Sequence, residues 1–264
     1  IDSVYTNVVA PRKDCVMFIS PMSGDVVDVI NSDQTESNNI LEFVGTLNQT
    51  IRSSYVVMDN NWKYQYDPWN KIYRWVPLNG DVAGLCARVD KNQDPWWSPA
   101  GYTRGKIMNV TKLAWNAKQG DRDILYKSGI NPVIYQTGEG TILFGDKTFV
   151  SKQTAFDRIN VRRLFLTLEK TIKRAARLQL FEFNDEFTRN RFVSIIEPFL
   201  REVQGRRGID DFRVICDDSN NTPSVIDSNG FIADIYIKPA RSINFIQLNF
   251  IATKTGVDFR TLFT

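Results

Sequence analysis

Six basic side chains in the second half of the chain have the type and spacing expected of a binding surface. They are Arg162, Arg163, Lys170, Lys173, Arg174 and Arg177, and Glu169 is the only acid between Asn160 and Leu180. Cations grouped in this way attract an acidic protein surface or nucleic acid, although long Lys and Arg side chains also form ordinary solvated helix faces. The charge pattern alone leaves these three interpretations open.

The common catalytic and metal-binding motifs are absent from the sequence. There is no histidine, which excludes Ser-His-Asp and Cys-His nucleophile pairs and imidazole metal ligands. Cys15, Cys86 and Cys216 are far apart and lack the paired spacing of a zinc site or a disulfide framework. The acidic run 217–221 lacks the ligand pattern of a calcium loop. No phosphate-binding glycine loop is present, so we predict no metal and no cofactor.

Aromatic residues are dense between positions 62 and 75. They are Trp62, Tyr64, Tyr66, Trp69, Tyr73 and Trp75. Rings at this density can stack on nucleic-acid bases. Because the first three alternate with the period of a strand, the pattern favours a hairpin whose rings pack in the core.

A helix from about Asn160 must position the basic residues. Its apolar stripe recurs at three- and four-residue steps and consists of Val161, Leu164, Phe165, Leu168, Ile172, Ala175 and Leu178. Asn160 is the predicted N-cap. Since the cations fall on the opposite side, we expect the helix to bury one face and present the other.

The remaining patterns alternate between short strands and helices, which predicts an α/β protein. Strands are predicted over 14–20, 54–58, 107–113, 131–136, 141–145, 211–217, 231–238 and 244–253. Helices are predicted over 37–47, 77–90, 122–127 and 185–204, the last containing Pro198. The final residues 254–264 contain apolar side chains without an obvious partner, so we expect them to fold back or to add to an open sheet edge.

The overall composition limits the class of protein. The 33 basic and 30 acidic residues nearly balance, which is unlike a dedicated nucleic-acid-binding protein. No apolar run approaches the roughly 20 residues that span a bilayer, so no membrane insertion is expected. The isolated cysteines indicate a reducing compartment. Because the chain starts at Ile1 and not at Met, we expect a fragment or a processed product.

Several short motifs, taken together and in order, resemble the contractile tail sheath proteins of tailed bacteriophages of the myovirus type. They are Gly80-Asp81-Val82-Ala83-Gly84, Ala87, Asp90, Pro99-Ala100-Gly101, Asn131-Pro132, Asn160-Val161-Arg162-Arg163-Leu164, Phe181-Glu182-Phe183-Asn184-Asp185, and Pro239 with Phe245-Ile246. The chain departs from the family at Glu182-Phe183-Asn184, where the family usually has Glu-Pro-Asn.

The resemblance implies a fold and a function. Residues 1–145 are expected to form a partial, non-catalytic subtilisin-like domain, and residues 146–264 a compact α/β C-terminal domain with an interlacing terminal arm. The protein would be a non-enzymatic subunit that polymerises with itself as stacked six-fold rings around the tail tube and contracts to drive the tube through the host envelope. Its partners would be other sheath subunits, the tail tube protein, and the baseplate and tail terminator proteins, with no small-molecule substrate. It would be assembled in the host bacterial cytoplasm and belong to the tail of the virion.

Two sets of residues follow as candidate contact sites. The six basic residues are predicted to face the tube. The strands that interlace subunits are predicted to contain Ile235, Ile237, Phe245, Ile246, Leu248, Phe250, Val257 and Phe259. Two alternatives are a nucleic-acid-binding module built on the basic helix and the aromatic block, and a hydrolase, against which the missing histidine argues.

Overall fold

The computed structural model describes residues 1–27, 35–47, 49–150, 152, 154–244 and 247. In the first half the elements are α1 (Asp2–Val4), a π-helical turn (Tyr5–Val9), α2 (Ala10–Arg12), β1 (Met17–Ile19), α3 (Ser23–Val26), α4 (Glu36–Thr46), a 3₁₀ turn (Gln49–Ile51), β2 (Val56–Asp59), β3 (Trp62–Asp67), β4 (Ile72–Pro77), α5 (Asn79–Asn92), β5 (Lys112–Leu113), α6 (Gln119–Lys127), β6 (Ile130–Asn131), β7 (Val133–Gln136) and β8 (Gly140–Leu143). In the second half they are α7 (Ile159–Ala176), a 3₁₀ turn (Arg177–Gln179), α8 (Glu186–Gly205), β9 (Ile209–Ile215), α9 (Pro223–Asp227) and β10 (Asp234–Pro239).

A parallel sheet in the order β1-β2-β6 forms the centre of the first half. Val56 and Met58 of β2 point into a cluster built with α4 and α6, whereas Val57 points into a cluster with α5. Successive strand residues face opposite sides, so a strand apolar on both sides must be covered twice. The result is a sheet between two helical layers, as expected for an α/β protein.

The aromatic block forms the predicted hairpin, in which Trp62 packs against the core but several other rings lie on the outer side. Tyr66, Trp69 and Tyr73 are exposed, and Tyr64 stacks on Tyr73 with 5.5 Å between ring centres. The opposite face of β3 is the buried one, where Lys63 Nζ lies 2.8 Å from the carboxylate of Asp81. The prediction that these rings pack in the core is therefore wrong for the exposed rings, because the alternation defines a face without saying which face is covered.

A second hairpin, β7–β8, was predicted correctly together with its glycine turn. Gly138 and Gly140 have φ angles of +87° and +84°, which only glycine adopts without strain. Of the extended segment predicted over 107–113, only Lys112–Leu113 forms a β-strand, β5.

The second half is built from α7 and α8 packed on the antiparallel pair β9–β10. Asp185 caps α8 by accepting a hydrogen bond from the Thr188 amide at 2.8 Å. Pro198 lies inside this helix. The side chains of Leu164, Leu168 and Leu200 are buried in the core they share.

Helix α7 begins and ends differently from the prediction. Its first residue is Ile159, whose amide donates to the Asp146 carbonyl oxygen at 2.8 Å, and the N-cap residue Arg158 makes no side-chain cap hydrogen bond. Asn160 is inside the helix and buried, and it is not the N-cap. Leu178 lies beyond the α-helix and is exposed, so it does not belong to the buried stripe.

Candidate functional site

The predicted basic face of α7 divides into a buried pair and an exposed group. Arg162 and Arg163 are only 6% and 8% exposed. Lys170, Lys173, Arg174 and Arg177 are exposed. The reason is that the start of α7 is buried in the protein on all sides, whereas its last turns are exposed on one side.

Arg162 is held by one aromatic ring of the first half and by one that lies just before α7. Its guanidinium carbon lies 4.1 Å from the ring centre of Tyr55 and 4.0 Å from that of Phe156. Its Nη2 donates to Ser54 Oγ at 2.5 Å. Burial lowers the pKa of the Arg162 guanidinium, but the two ring faces stabilise the charge.

Arg163 binds helix α5. Its Nη2 donates to the carbonyl oxygen of Cys86 at 3.1 Å and pairs with the carboxylate of Asp90. Both contacts are made some 70 positions away in sequence, so helical periodicity could not reveal them. The prediction that all six basic residues face a partner is therefore wrong for Arg162 and Arg163, which attach α7 to the first half of the chain.

The four exposed cations form a compact group near the C-terminal end of α7. We call Lys170, Lys173, Arg174 and Arg177 the cationic patch. Lys173 lies 3.7 Å from Glu169 one turn earlier, as a solvent-exposed pair. Positive side chains at a helix C-terminus are stabilised by the helix dipole, so this position suits the patch without any partner. Its contact with a tube remains a prediction.

The first two residues of the predicted interlacing strands belong to a hairpin of their own chain. In β10, Ile235 is opposite Val214 and Ile237 is opposite Phe212 of β9. Both isoleucines pack on the core formed with α7 and α8. The strand that holds Ile235 and Ile237 is therefore paired within the chain on one side, and its part in a sheet shared between subunits stays a prediction.

The rest of the predicted interlacing set lies outside the described residues. This applies to Phe245, Ile246, Leu248, Phe250, Val257 and Phe259. Within the described chain, β9 and β10 form a sheet of two strands, so each strand has one side without a ladder partner there. Such edges accept an added strand.

A buried polar cluster holds the segment that leads to these terminal residues. The carboxylate of Asp146 accepts hydrogen bonds from Arg158 at 3.0 Å, Tyr126 at 3.2 Å and Ser242 at 2.6 Å, and Asn244 contacts the Tyr126 hydroxyl at 3.1 Å. Burial, followed by the charge of Asp146, raises the pKa of Tyr126 to about 12. The cluster lines a cleft of about 1220 Å³. No sequence motif signals it, because its members are up to 118 positions apart.

A second polar cluster lies at the carboxyl ends of the parallel strands, where α/β enzymes commonly bind ligands. Asp59 is buried there and accepts hydrogen bonds from Ser20 Oγ at 2.6 Å and from the Asn61 amide at 3.0 Å. Ser20 Oγ in turn accepts from the Asn79 amide at 2.9 Å, at the start of α5. Burial raises the pKa of Asp59 to about 7. These groups bond to one another and tie the strand ends to α5.

The elements of the nucleic-acid alternative do not meet in the described structure. Among the described residues, no hydrogen bond, ion pair or ring contact joins the aromatic hairpin, which is formed by β3 and β4, to α7. In the same residues no group of three or more Cys, Asp or Glu side chains could hold a metal ion, and no helix is long and apolar enough to cross a bilayer.

Models of two phage tail sheath domains match this chain in succession. The tail sheath protein central domain matches residues 2–149 and the tail sheath C-terminal domain matches residues 151–253. The tail sheath protein of Vibrio phage KVP40 is 50% identical over 258 residues, covering 94% of this chain and 38% of that protein. The tail sheath protein of Enterobacteria phage T4 is 48% identical over 255 residues, covering 95% of this chain and 39% of that protein. The chain thus spans about two fifths of the length of these relatives.

Solved sheath structures share the fold. The contracted sheath complex of an extracellular contractile injection system aligns with a TM-score of 0.75 and 21% identity, covering 89% of this chain and 63% of that one. The contracted helical sheath of the anti-feeding prophage aligns with a TM-score of 0.74 and 18% identity, covering 96% and 65%. At these identities the similarity concerns the mixed α/β fold alone.

Proposed function

This chain belongs to the phage tail sheath family, and from that membership we propose that it is part of a structural subunit of a contractile phage tail. The observation that carries the proposal is the ordered match of the central and C-terminal sheath domains over residues 2–149 and 151–253. In this role, copies of the subunit polymerise as stacked six-fold rings around a tail tube, and their contraction drives the tube through the host envelope. The subunit is assembled in the host cytoplasm and becomes part of the virion tail.

The proposal extends to the fold and to the absence of catalysis. The parallel sheet β1-β2-β6 between helical layers is what a partial subtilisin-like domain would retain. A non-catalytic role is supported by the names of the relatives, which are tail sheath proteins. The missing histidine and the engagement of Asp59 with Ser20 and Asn61 agree with it.

Two kinds of contact would serve the two demands on a sheath. Subunits must stay joined while the sheath changes shape, and a terminal segment added to the edge of β9–β10 in a neighbouring copy would supply a ladder of main-chain hydrogen bonds that is costly to break. The sheath must also release the tube. The cationic patch suits that contact, since exposed ion pairs contribute only about 0–1 kcal/mol each and are screened by salt. Baseplate and tail terminator proteins would bind the ends of the polymer.

Charge reversal tests the tube contact. We expect Lys170→Glu with Arg174→Glu and Arg177→Glu to weaken co-sedimentation with tail tubes about tenfold or more near 0.1 M salt, and less near 1 M salt, where screening is stronger. Because these side chains are exposed, the monomer should stay folded, with only a small decrease in its thermal stability, since negative charge at the C-terminal end of α7 opposes the helix dipole.

The matched control reverses three exposed lysines of the first half, Lys91→Glu with Lys118→Glu and Lys127→Glu. It should bind tubes like the wild type. Equal tube binding by the patch variant and the wild type would contradict the tube-facing role. Steeply salt-dependent retention of the wild type on DNA, without tube binding, would favour the nucleic-acid alternative instead.

A further inference from the structure

The connection between α7 and α8 exposes a group of large apolar side chains. We call this group the apolar tip, and each member is at least 64% exposed. Its members are Leu178, Leu180, Phe181, Phe183 and Phe187. They follow directly after the cationic patch, so the two features form one continuous stretch of the chain.

The size of the apolar tip is unusual for a surface facing only water. A phenylalanine side chain offers about 200 Å², so the three phenylalanines alone expose roughly 500 Å². The five residues lie within ten positions of the chain, and exposed apolar area of this extent on soluble proteins marks interaction sites. None of these three rings takes part in an aromatic or cation–π contact within the described chain, so ring contacts among the described residues do not explain their position.

The backbone at the tip supports the same conclusion. Phe181 has a φ angle of +71°, in the left-handed region that is unfavourable for a residue with a Cβ atom. Its side chain is fully exposed. Among the residues that the structure describes, no ring contact of Phe181 offsets the unfavourable backbone, as expected where strain persists at a site of interaction.

The charges beside the tip indicate what would cover it. Lys170, Arg174 and Arg177 make no ion pair within the described residues and extend over two helical turns up to Leu178. Two acidic residues, Glu182 and Glu186, lie within the apolar tip and not beside these three cations. A matching surface therefore needs an apolar depression with carboxylates along one border, where they would face the cations.

We propose that the apolar tip and the cationic patch form one composite surface that docks into a carboxylate-bordered apolar depression on the tail tube protein. This inference rests on the proposed function and adds to it that the tube contact has an apolar component. Salt screens the ion pairs but not apolar burial, so part of the affinity for the tube persists at high ionic strength.

The test compares two double variants by co-sedimentation with preformed tail tubes. Phe181→Ser with Phe183→Ser removes two rings of the tip. Trp69→Ser with Tyr73→Ser removes two exposed rings of the aromatic hairpin and is the matched control. Binding is measured near 0.1 M and near 1 M salt, between which the Debye length falls from about 10 Å to about 3 Å.

The wild type and the control should keep measurable tube binding near 1 M salt, and the tip variant should bind at least tenfold more weakly at both salt concentrations. Equal binding of the tip variant and the wild type near 1 M salt overturns the inference and leaves the proposed function intact. A wild type that binds no tube at either concentration contradicts the proposed function itself. Loss of self-association in the tip variant with unchanged tube binding identifies a second copy as the occupant and also overturns the inference.

The variants must be folded for these outcomes to apply. Thermal unfolding by circular dichroism should match the wild type, because the substituted rings are exposed. If the double variant unfolds, Phe183→Ser alone provides the same comparison and should still weaken tube binding near 1 M salt.

Discussion

Asp59 lies at a position typical of catalytic groups, but its contacts are those of a structural residue. It lies at the carboxyl end of a parallel strand, but its carboxyl group is buried and bonded to Ser20 and Asn61. Burial raises its pKa to about 7, so the folded protein keeps this group protonated over a pH range in which the unfolded chain has already lost the proton.

Asp59 should therefore make the free energy of unfolding depend on pH. With a folded pKa of about 7 and an unfolded pKa near 4, its full favourable contribution is present below about pH 4 and is lost as the pH rises through about 7. We expect Asp59→Asn to abolish a decrease on the order of 3 kcal/mol between these limits. Urea denaturation across the pH range measures it.

The control for this experiment is Asp227→Asn, which removes an exposed carboxylate. It should leave the pH dependence as in the wild type. If Asp59→Asn and the wild type lose stability in parallel between pH 4 and 7, the Asp59 carboxyl group is not protonated in the folded protein as described.

At the scale of the element, α7 joins the two halves of the chain. Ile159 in its first turn belongs to the α5 side of the first half, whereas Leu164 and Leu168 belong to the core with α8. Arg163 adds a contact to α5, and Arg162 adds a separate contact to Ser54 and Tyr55 of the first half. The predicted boundary between residues 145 and 146 remains a prediction, and the helix that follows it has contacts on both sides.

Removal of a buried arginine and removal of an exposed arginine on α7 should change the free energy of unfolding by different amounts. Arg162→Ala deletes a buried guanidinium held between Tyr55 and Phe156 and should lower the free energy of unfolding by about 2–4 kcal/mol. Arg174→Ala is the matched control on the exposed part of the same helix and should change it by less than about 0.5 kcal/mol. Chemical denaturation of both variants gives the comparison, and equal values would contradict the anchoring role of Arg162.

At the scale of the whole molecule, the proposed sheath separates permanent from releasable contacts. Contacts between subunits would depend on the terminal residues and the edges of β9–β10, and contacts with the tube on the exposed end of α7 and the apolar tip. The cluster around Asp146 holds Ser242 and Asn244, so the position of the chain is defined up to Asn244. Both surfaces therefore belong to the second half of the chain.

Removing residues 254–264 should leave a folded monomer that does not polymerise. The reason is that an added strand contributes main-chain hydrogen bonds that no other segment replaces. Electron microscopy and sedimentation at high protein concentration measure the polymer. A full-length variant with Val257→Ser and Phe259→Ser separates the loss of apolar side chains from the loss of backbone, and normal polymer from the truncated chain would show that these residues are dispensable.

The sequence by itself determined those features that depend on neighbouring residues. The apolar period of α7, the helix predicted over 185–204 and the glycine turn of β7–β8 follow from the sequence, because helix and strand periodicity and turn conformation are local properties. The ordered motifs also identified the family. The positions at which local patterns misled are those whose environment is supplied from far along the chain.

The tertiary structure alone decided which of these faces is covered. It buried Arg162 and Arg163 because Tyr55, Cys86 and Asp90 come to lie beside them. It left Tyr66, Trp69 and Tyr73 of the β3–β4 hairpin exposed, because the opposite face packs on the start of α5 through Lys63 and Asp81. Periodicity states that two faces differ, but which face meets water depends on elements that the chain brings together only when it folds.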